Sequence, residues 1–256
     1  MTPILIALAA TAAAPQPAEA QLKSCLQLVR TSPDRAALAA EEWRVKGGGL
    51  DARQCLGLAH SSANRWPAAA STFEIAAREA EVRKDARSSD FWAQSGNAWL
   101  AAGDAAKARK ALDSALAAGG AAPQLRGEIH LDRARAAVML NDAVAARADI
   151  DKGLELVPQD PFGWYLSAAL ARRENKLDRA KTEIAKAVSL APDDAAILLE
   201  AGTIAGVTGD ADAALGLYAR AAQAQPQSEA GRAAQAALAA NGAEPAAASP
   251  PAGPKS

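Results

Sequence analysis

Two histidines, His60 and His130, and two cysteines, Cys25 and Cys55, are the main side chains in this sequence that metal or nucleophilic chemistry would need. A helical zinc site places two histidines one turn apart with an acid nearby. His60 and His130 are far apart, and neither has an acid and a second histidine at that spacing. The cysteines are not in a Cys-x-x-Cys arrangement, which leaves redox catalysis and zinc unsupported. Gly47-Gly48-Gly49 is not followed by the Lys-Ser/Thr of a phosphate-binding loop, so it reads as a helix stop. His-Glu-x-x-His, Gly-x-Ser-x-Gly and the dinucleotide fingerprint are absent. The acids are scattered along helical stretches, where solvated charge is the expectation. The reading is of a protein with no catalytic residues, no metal ligands and no cofactor, hence not an enzyme.

The N-terminus shows where the cysteines would be oxidised. It reads MTPILIALAATAAAPQPAEAQ, with an apolar run from Ile4 to Ala14 and a small-x-small site at Ala18-Glu19-Ala20. This is a secretory signal pattern, although no Lys or Arg precedes the apolar run. The run is shorter than the roughly 20 apolar residues that span a bilayer. Cleavage is expected after Ala20, giving a periplasmic protein with no integral membrane segment; the alternative is a cytoplasmic protein with an uncleaved leader. Lys23 in the stretch before Cys25 does not fit a lipoprotein processing box. An even cysteine count in an exported chain points to a disulfide.

Composition indicates what must position these residues. Half of the 256 residues are hydrophobic but only 4% are aromatic, because alanine dominates. Alanine is the best helix former and too small to fill a bulky core, so many closely packed helices are expected. No alternating stretch reads as a strand. The formal net charge of -1 does not suggest nucleic acid, whose binding needs a strong positive field.

The helices are organised by a repeat. Pro158, Pro192 and Pro226 lie 34 residues apart, which fixes blocks at 127–160, 161–194 and 195–228. Small residues recur at the eighth position (Ala134, Ala168, Gly202) and the twentieth (Ala146, Ala180, Ala214). A larger residue recurs at the twenty-fourth (Ile150, Ile184, Tyr218), and Asn or Gly at the fifteenth (Asn141, Asn175, Gly209). Small residues let helices approach, larger ones fill the gap, and Asn or Gly permits a left-handed turn. Proline follows the second helix because it cannot continue it. Blocks 50–83 and 89–122 fit with small insertions, the first carrying Gly57 and Phe73, the second Trp92, Gly96 and Trp99. The excess at Val82–Arg87 implies a longer second helix, and that at Gly119–Pro123 a longer loop.

Over 50–228 this pattern resembles the tetratricopeptide repeat (TPR) family, with aromatic, Leu-Gly, aromatic, then Ala, aromatic, Ala and Pro. It departs where alanine replaces many aromatics and where the first two blocks lack the terminal proline. The resemblance implies an all-α fold, a right-handed α-solenoid of stacked antiparallel helix pairs. Residues 21–49 are expected to form a degenerate N-terminal pair, 229–242 a C-terminal capping helix, and 243–256 an Ala/Pro-rich disordered tail. His60 and His130 then fall on packing positions where the family places aromatics, as do Trp92 and Trp99.

In such arrays the first helix of each pair lines a concave groove, through positions two, five, nine, twelve and thirteen. The resemblance therefore implies a ligand groove at Asn97, Arg135, Phe162, Tyr165, Arg172 and Arg173, with Leu100 and Leu131 also on these positions. Arginine matches carboxylates and aromatics give apolar anchoring, so an extended peptide bearing an acid or a free C-terminus fits. Asn97 and Arg135 are similar to the family's carboxylate clamp, whose lysines are missing at the matching positions. The other reading is that these arginines solubilise the surface or pair with nearby acids. Cys25 and Cys55 would lie on neighbouring first helices, close enough for a disulfide that staples the degenerate pair to the array.

Three functions follow. The first is an interaction scaffold or assembly factor of the bacterial cell envelope that binds a protein or extended peptide. The second is a cytoplasmic adaptor or co-chaperone. The third, an enzyme or enzyme subunit, would need a pocket of converging titratable groups.

Overall fold

A computed structural model describes residues 17–241. The leader run Ile4–Ala14 and the tail from 243 lie outside the described residues; Ala18-Glu19-Ala20 is exposed on the first helix. The chain divides into two compact units, with the boundary in the sequence between Gly103 and Asp104.

The first unit holds α1 (Pro17–Thr31), α2 (Pro33–Val45), α3 (Gly49–Ser62), α4 (Trp66–Arg83) and α5 (Ser88–Ala101). Consecutive helices pack, and α1 also touches α3. The second unit holds α6 (Ala105–Ala118), α7 (Pro123–Met139), α8 (Ala143–Leu156), α9 (Pro161–Arg173), α10 (Leu177–Leu190), α11 (Ala195–Val207), α12 (Ala211–Ala224) and α13 (Glu229–Ala240). Here too each helix packs on the next, the first helices α7, α9 and α11 touch in turn, and α13 covers α11 and α12. Both units are stacks of helix pairs, and among the described residues there is no strand.

Local chemistry sets the boundaries. The turn between paired helices has a residue with left-handed φ: Asn64 (56°), Asn141 (59°), Asn175 (57°) or Gly209 (87°). Asp142 and Asp210 follow two of these turns and cap α8 and α12, accepting the N–H of Ala145 and of Ala213 at 3.0 Å. Asp160 and Asp194 do the same for α9 and α11. Helices α8 and α10 stop at Leu156 and Leu190, two residues before Pro158 and Pro192. The excess after block 50–83 is taken up partly by α4, 18 residues long. The excess before block 127–160 is divided between the loop 119–122 and an extra turn of α7, which starts at Pro123. Proline at the first helical position supplies a preset φ and gives up no hydrogen bond.

The core is largely alanine, with single large residues at each crossing. In the second unit Ala134, Ala137, Ala146, Ile150 and Leu170 form one cluster, and Ala168, Ala180, Ile184 and Ala201 contribute to the next. Phe73 lies over Gly57, where an added Cβ would come within 2.5 Å of the ring; Tyr218 lies over Gly202 at 2.6 Å. No described helix is long and apolar enough to cross a membrane.

Candidate binding face on the first helices

In the second unit, α7, α9 and α11 bring together part of the expected groove. Arg135 on α7 places its guanidinium 5.6 Å from the centroid of the Phe162 ring, within range of a cation–π attraction. Phe162 stacks on Tyr165 with centroids 5.8 Å apart and planes inclined 25°. Phe162 remains 38% exposed, and Tyr165 is half-buried against the cluster around Ala168 and Ala201. Burial pushes the Tyr165 phenol up, helped by the charge of Glu200. Asp160 fixes Phe162 at the first turn of α9 by accepting its N–H at 2.8 Å. Further along the same helices, Met139 and Val207 are 46% and 55% exposed.

The arginines divide into engaged and free. Arg172 makes a two-pronged bond to Glu200 on α11, 2.7 Å from Nε to Oε1 and 3.2 Å from Nη2 to Oε2. Arg135 donates to Asp132 at 3.0 Å. Arg173 is exposed and makes no ion pair among the described residues. Asn97 belongs to the first unit, exposed on α5. Leu100 and Leu131 depart from their expected groove positions, being 6% and 2% exposed. Leu131 turns inward because Gly153 and Gly163 leave it room; an added Cβ on either would come within about 3 Å of its side chain.

The acids correct a sequence expectation. Asp149, Glu183 and Glu200 are buried, at 6%, 7% and 9% exposure, not solvated. Each is held by an arginine. Asp149 accepts Arg133 Nε at 2.9 Å and Nη2 at 2.6 Å, and meets His130 Nδ1 at 2.9 Å. Burial alone would raise the Asp149 carboxyl, but the hydrogen bonds from His130 and Arg133 outweigh it and hold it below the usual range. Burying a carboxylate is tolerable only with such partners. The signal was in the sequence: Asp149 and Glu183 share one repeat position. His60, half-buried on α3, has its imidazole pulled down by burial, with Arg65 adding and Glu41 opposing. Among the described residues no three His, Cys, Asp or Glu side chains gather to hold a metal.

Trp92 and Trp99 are buried, and Trp92 Nε1 donates to Glu81 at 2.7 Å. Cys25 on α1 and Cys55 on α3 are joined in a disulfide, their Cα atoms 6.2 Å apart. The bond is buried with Ala40, Leu22, Val29 and Leu56 around it.

No family model matches the sequence, and no curated protein matches it. Solved structures do. The pilF protein of Pseudomonas aeruginosa is 17% identical with a TM-score of 0.67, over 86% of this chain and 97% of that one. PilW, a widely conserved type IV pilus biogenesis factor, is 19% identical with a TM-score of 0.68, over 86% and 99%. YrrB, a TPR protein with an unusual peptide-binding site, is 19% identical with a TM-score of 0.51, over 86% and 99%. At these identities the likeness is one of fold, and the fold of this chain is the tetratricopeptide-type α-solenoid.

Proposed function

We propose that the protein is a non-catalytic interaction scaffold or assembly factor of the bacterial cell envelope. A partner protein or extended peptide binds along its first helices. The observation that carries this is the surface of the second unit, where Arg135, Phe162 and Tyr165 form a continuous cation–aromatic stack. Aromatic and arginine side chains at an accessible face are the usual anchors of protein recognition. Because Arg172 and Arg135 already have acid partners, Arg173 is the residue left to meet a ligand carboxylate. YrrB is a precedent for peptide binding on this fold.

The envelope assignment draws on the leader pattern, on the disulfide, which persists in oxidising compartments, and on the likeness to a pilus biogenesis factor. The division into a signal at 1–20, a degenerate pair at 21–49, five repeats over 50–228 and a cap at 229–242 belongs to the same proposal. The alternative is a cytoplasmic adaptor. Intact mass of the protein from the native host separates them. A chain starting at Gln21, with thiols labelled only after reduction, supports export; full length with two free thiols rejects it. The binding claim is tested by co-purification from the envelope fraction with wild type and with Phe162→Ser/Arg173→Glu. An unchanged set of partners would refute it.

A further inference from the structure

The face that carries Phe162 can be matched against the stretch of chain that follows α13. That stretch holds Pro250, Pro251 and Pro254, and Pro251-Ala252-Gly253-Pro254 is a Pro-x-x-Pro spacing followed by Lys255. Proline-rich sequences favour the polyproline II helix, with three residues per turn, so Pro251 and Pro254 fall on one side of it. Exposed aromatic surfaces recognise such segments, whose carbonyls have no internal partners and accept hydrogen bonds.

The first helices of the second unit offer the complement, in chain order. On α11, Ala196 and Val207 are exposed and Leu199 and Thr203 half-buried, an uncharged strip for the run Ala246–Ala248. On α9, Phe162 is 38% exposed and stacked on Tyr165 at 5.8 Å, an apolar surface for the prolines. The Tyr165 hydroxyl is a donor for a chain carbonyl. On α7, Glu128 is exposed and holds the repeat position of Phe162. It accepts from the neutral Gln124 at 2.8 Å and has no ion pair among the described residues, so its charge is open to Lys255. Alanines, prolines and lysine follow one another along the chain as α11, α9 and α7 do across the face.

The length suffices. Helix α13 packs on α11, and α11 on α9. With packed axes about 10 Å apart and helices about 20 Å long, any part of α9 lies within about 30 Å of Asn241, the last described residue. Pro251, about ten residues on, reaches about 31 Å in a polyproline II helix.

We propose that residues 246–255 fold back across α11, α9 and α7, with Pro251 and Pro254 on the Phe162–Tyr165 surface and Lys255 at Glu128. They cover this face until a partner displaces them, which rests on the reading of the face as the partner-binding surface.

The test compares NMR spectra of the whole chain and of its Pro251→Ser/Pro254→Ser variant. Both substitutions lie beyond the helices, so they should shift the Phe162, Tyr165 and Glu128 amides while Ala213 on α12 stays in place. A synthetic peptide of residues 243–256 should restore the original shifts in the variant. It should bind the unaltered chain about tenfold more weakly, because a tethered copy competes at millimolar effective concentration. Unmoved α9 amides in the variant, or equal peptide affinity for both chains, would overturn the proposal. So would shifts that fade on dilution, which would put a second copy's segment on the face. No partner is present in this measurement. A silent segment beside a changed set of co-purified partners would remove the covering contact alone; a docked segment beside unchanged partners would remove the partner reading alone.

Discussion

Gly57 and Phe73 occupy the same two repeat positions as Ala134 and Ile150, and as Gly202 and Tyr218. Where the second helix carries an aromatic ring, the first carries glycine; where it carries isoleucine, the first carries alanine. Volume is balanced across these crossings, as close packing requires, though block 89–122 pairs Gly96 with Leu112. Gly57→Ala should therefore overpack the Phe73 ring and lower stability by about 1–3 kcal/mol in urea unfolding. The double variant Gly57→Ala/Phe73→Ile reproduces the Ala134–Ile150 pair, so its loss should be smaller than the sum of the two single losses by at least about 0.5 kcal/mol. Strict additivity would contradict the packing account. A second residue-scale prediction concerns acid. Arg87 donates to the Asp85 carboxylate through Nε and Nη2, at 3.0 and 2.8 Å, and its backbone N–H adds a third bond. These bonds pull the Asp85 carboxyl down to about 2. The folded value lies below the unfolded one of about 3.9, so this contribution is present above pH about 4 and is lost as pH falls toward 2. Asp85→Asn should flatten the fall of melting temperature over that window; an identical acid limb in both proteins would count against it. The small and large core positions and the turn residues were readable in the sequence, because geometry demands the same residue sizes in every repeat. The inward turn of Leu131 was not, because it depends on Gly153 and Gly163 from two other helices. The burial of Asp149 had only the repeat position it shares with Glu183 as a signal, because the partners that make it tolerable, Arg133 and His130, arrive from α7.

At the scale of the helix, the 34-residue period was legible because Pro, Asn or Gly, and Asp mark the stops and starts. Asp142 follows the left-handed Asn141 and caps α8 through the Ala145 N–H. Asp142→Ala should cost about 1 kcal/mol of unfolding free energy by chemical denaturation. A change within error would show that the cap is replaced by solvent. The start of α7 was harder to place, since Pro123 begins a helix one turn before the repeat does. The disulfide acts at this scale as well. It closes a separation of 30 residues between α1 and α3, and among the described residues α1 packs chiefly on α2 and α3. Cys25→Ser/Cys55→Ser should lose about 3–4 kcal/mol in the chain-entropy picture. Amide exchange should show α1 losing protection first, while α7–α12 keep theirs. Uniform loss through both units would mean that the bond does more than hold the first helix.

At the scale of the whole molecule, the solenoid class was legible from composition and period, and the solved structures share it at below 20% identity. Partner chemistry was only partly legible. The sequence left open whether Arg172 and Arg173 meet a ligand or pair with nearby acids; among the described residues Arg172 is bonded to Glu200, while Arg173 makes no ion pair. A salt bridge between α9 and α11 cannot be read from either helix alone. The central claim is that the first helices of the second unit hold a partner. Its most direct test places a photo-crosslinking phenylalanine analogue at position 162, at 207, and at 82 as a control, since Val82 is 85% exposed on the second helix α4 of the first unit. Irradiation in living cells should yield the same discrete adduct from 162 and 207 and none from 82. Equal adducts from all three positions, or none from 162 and 207, would contradict the account.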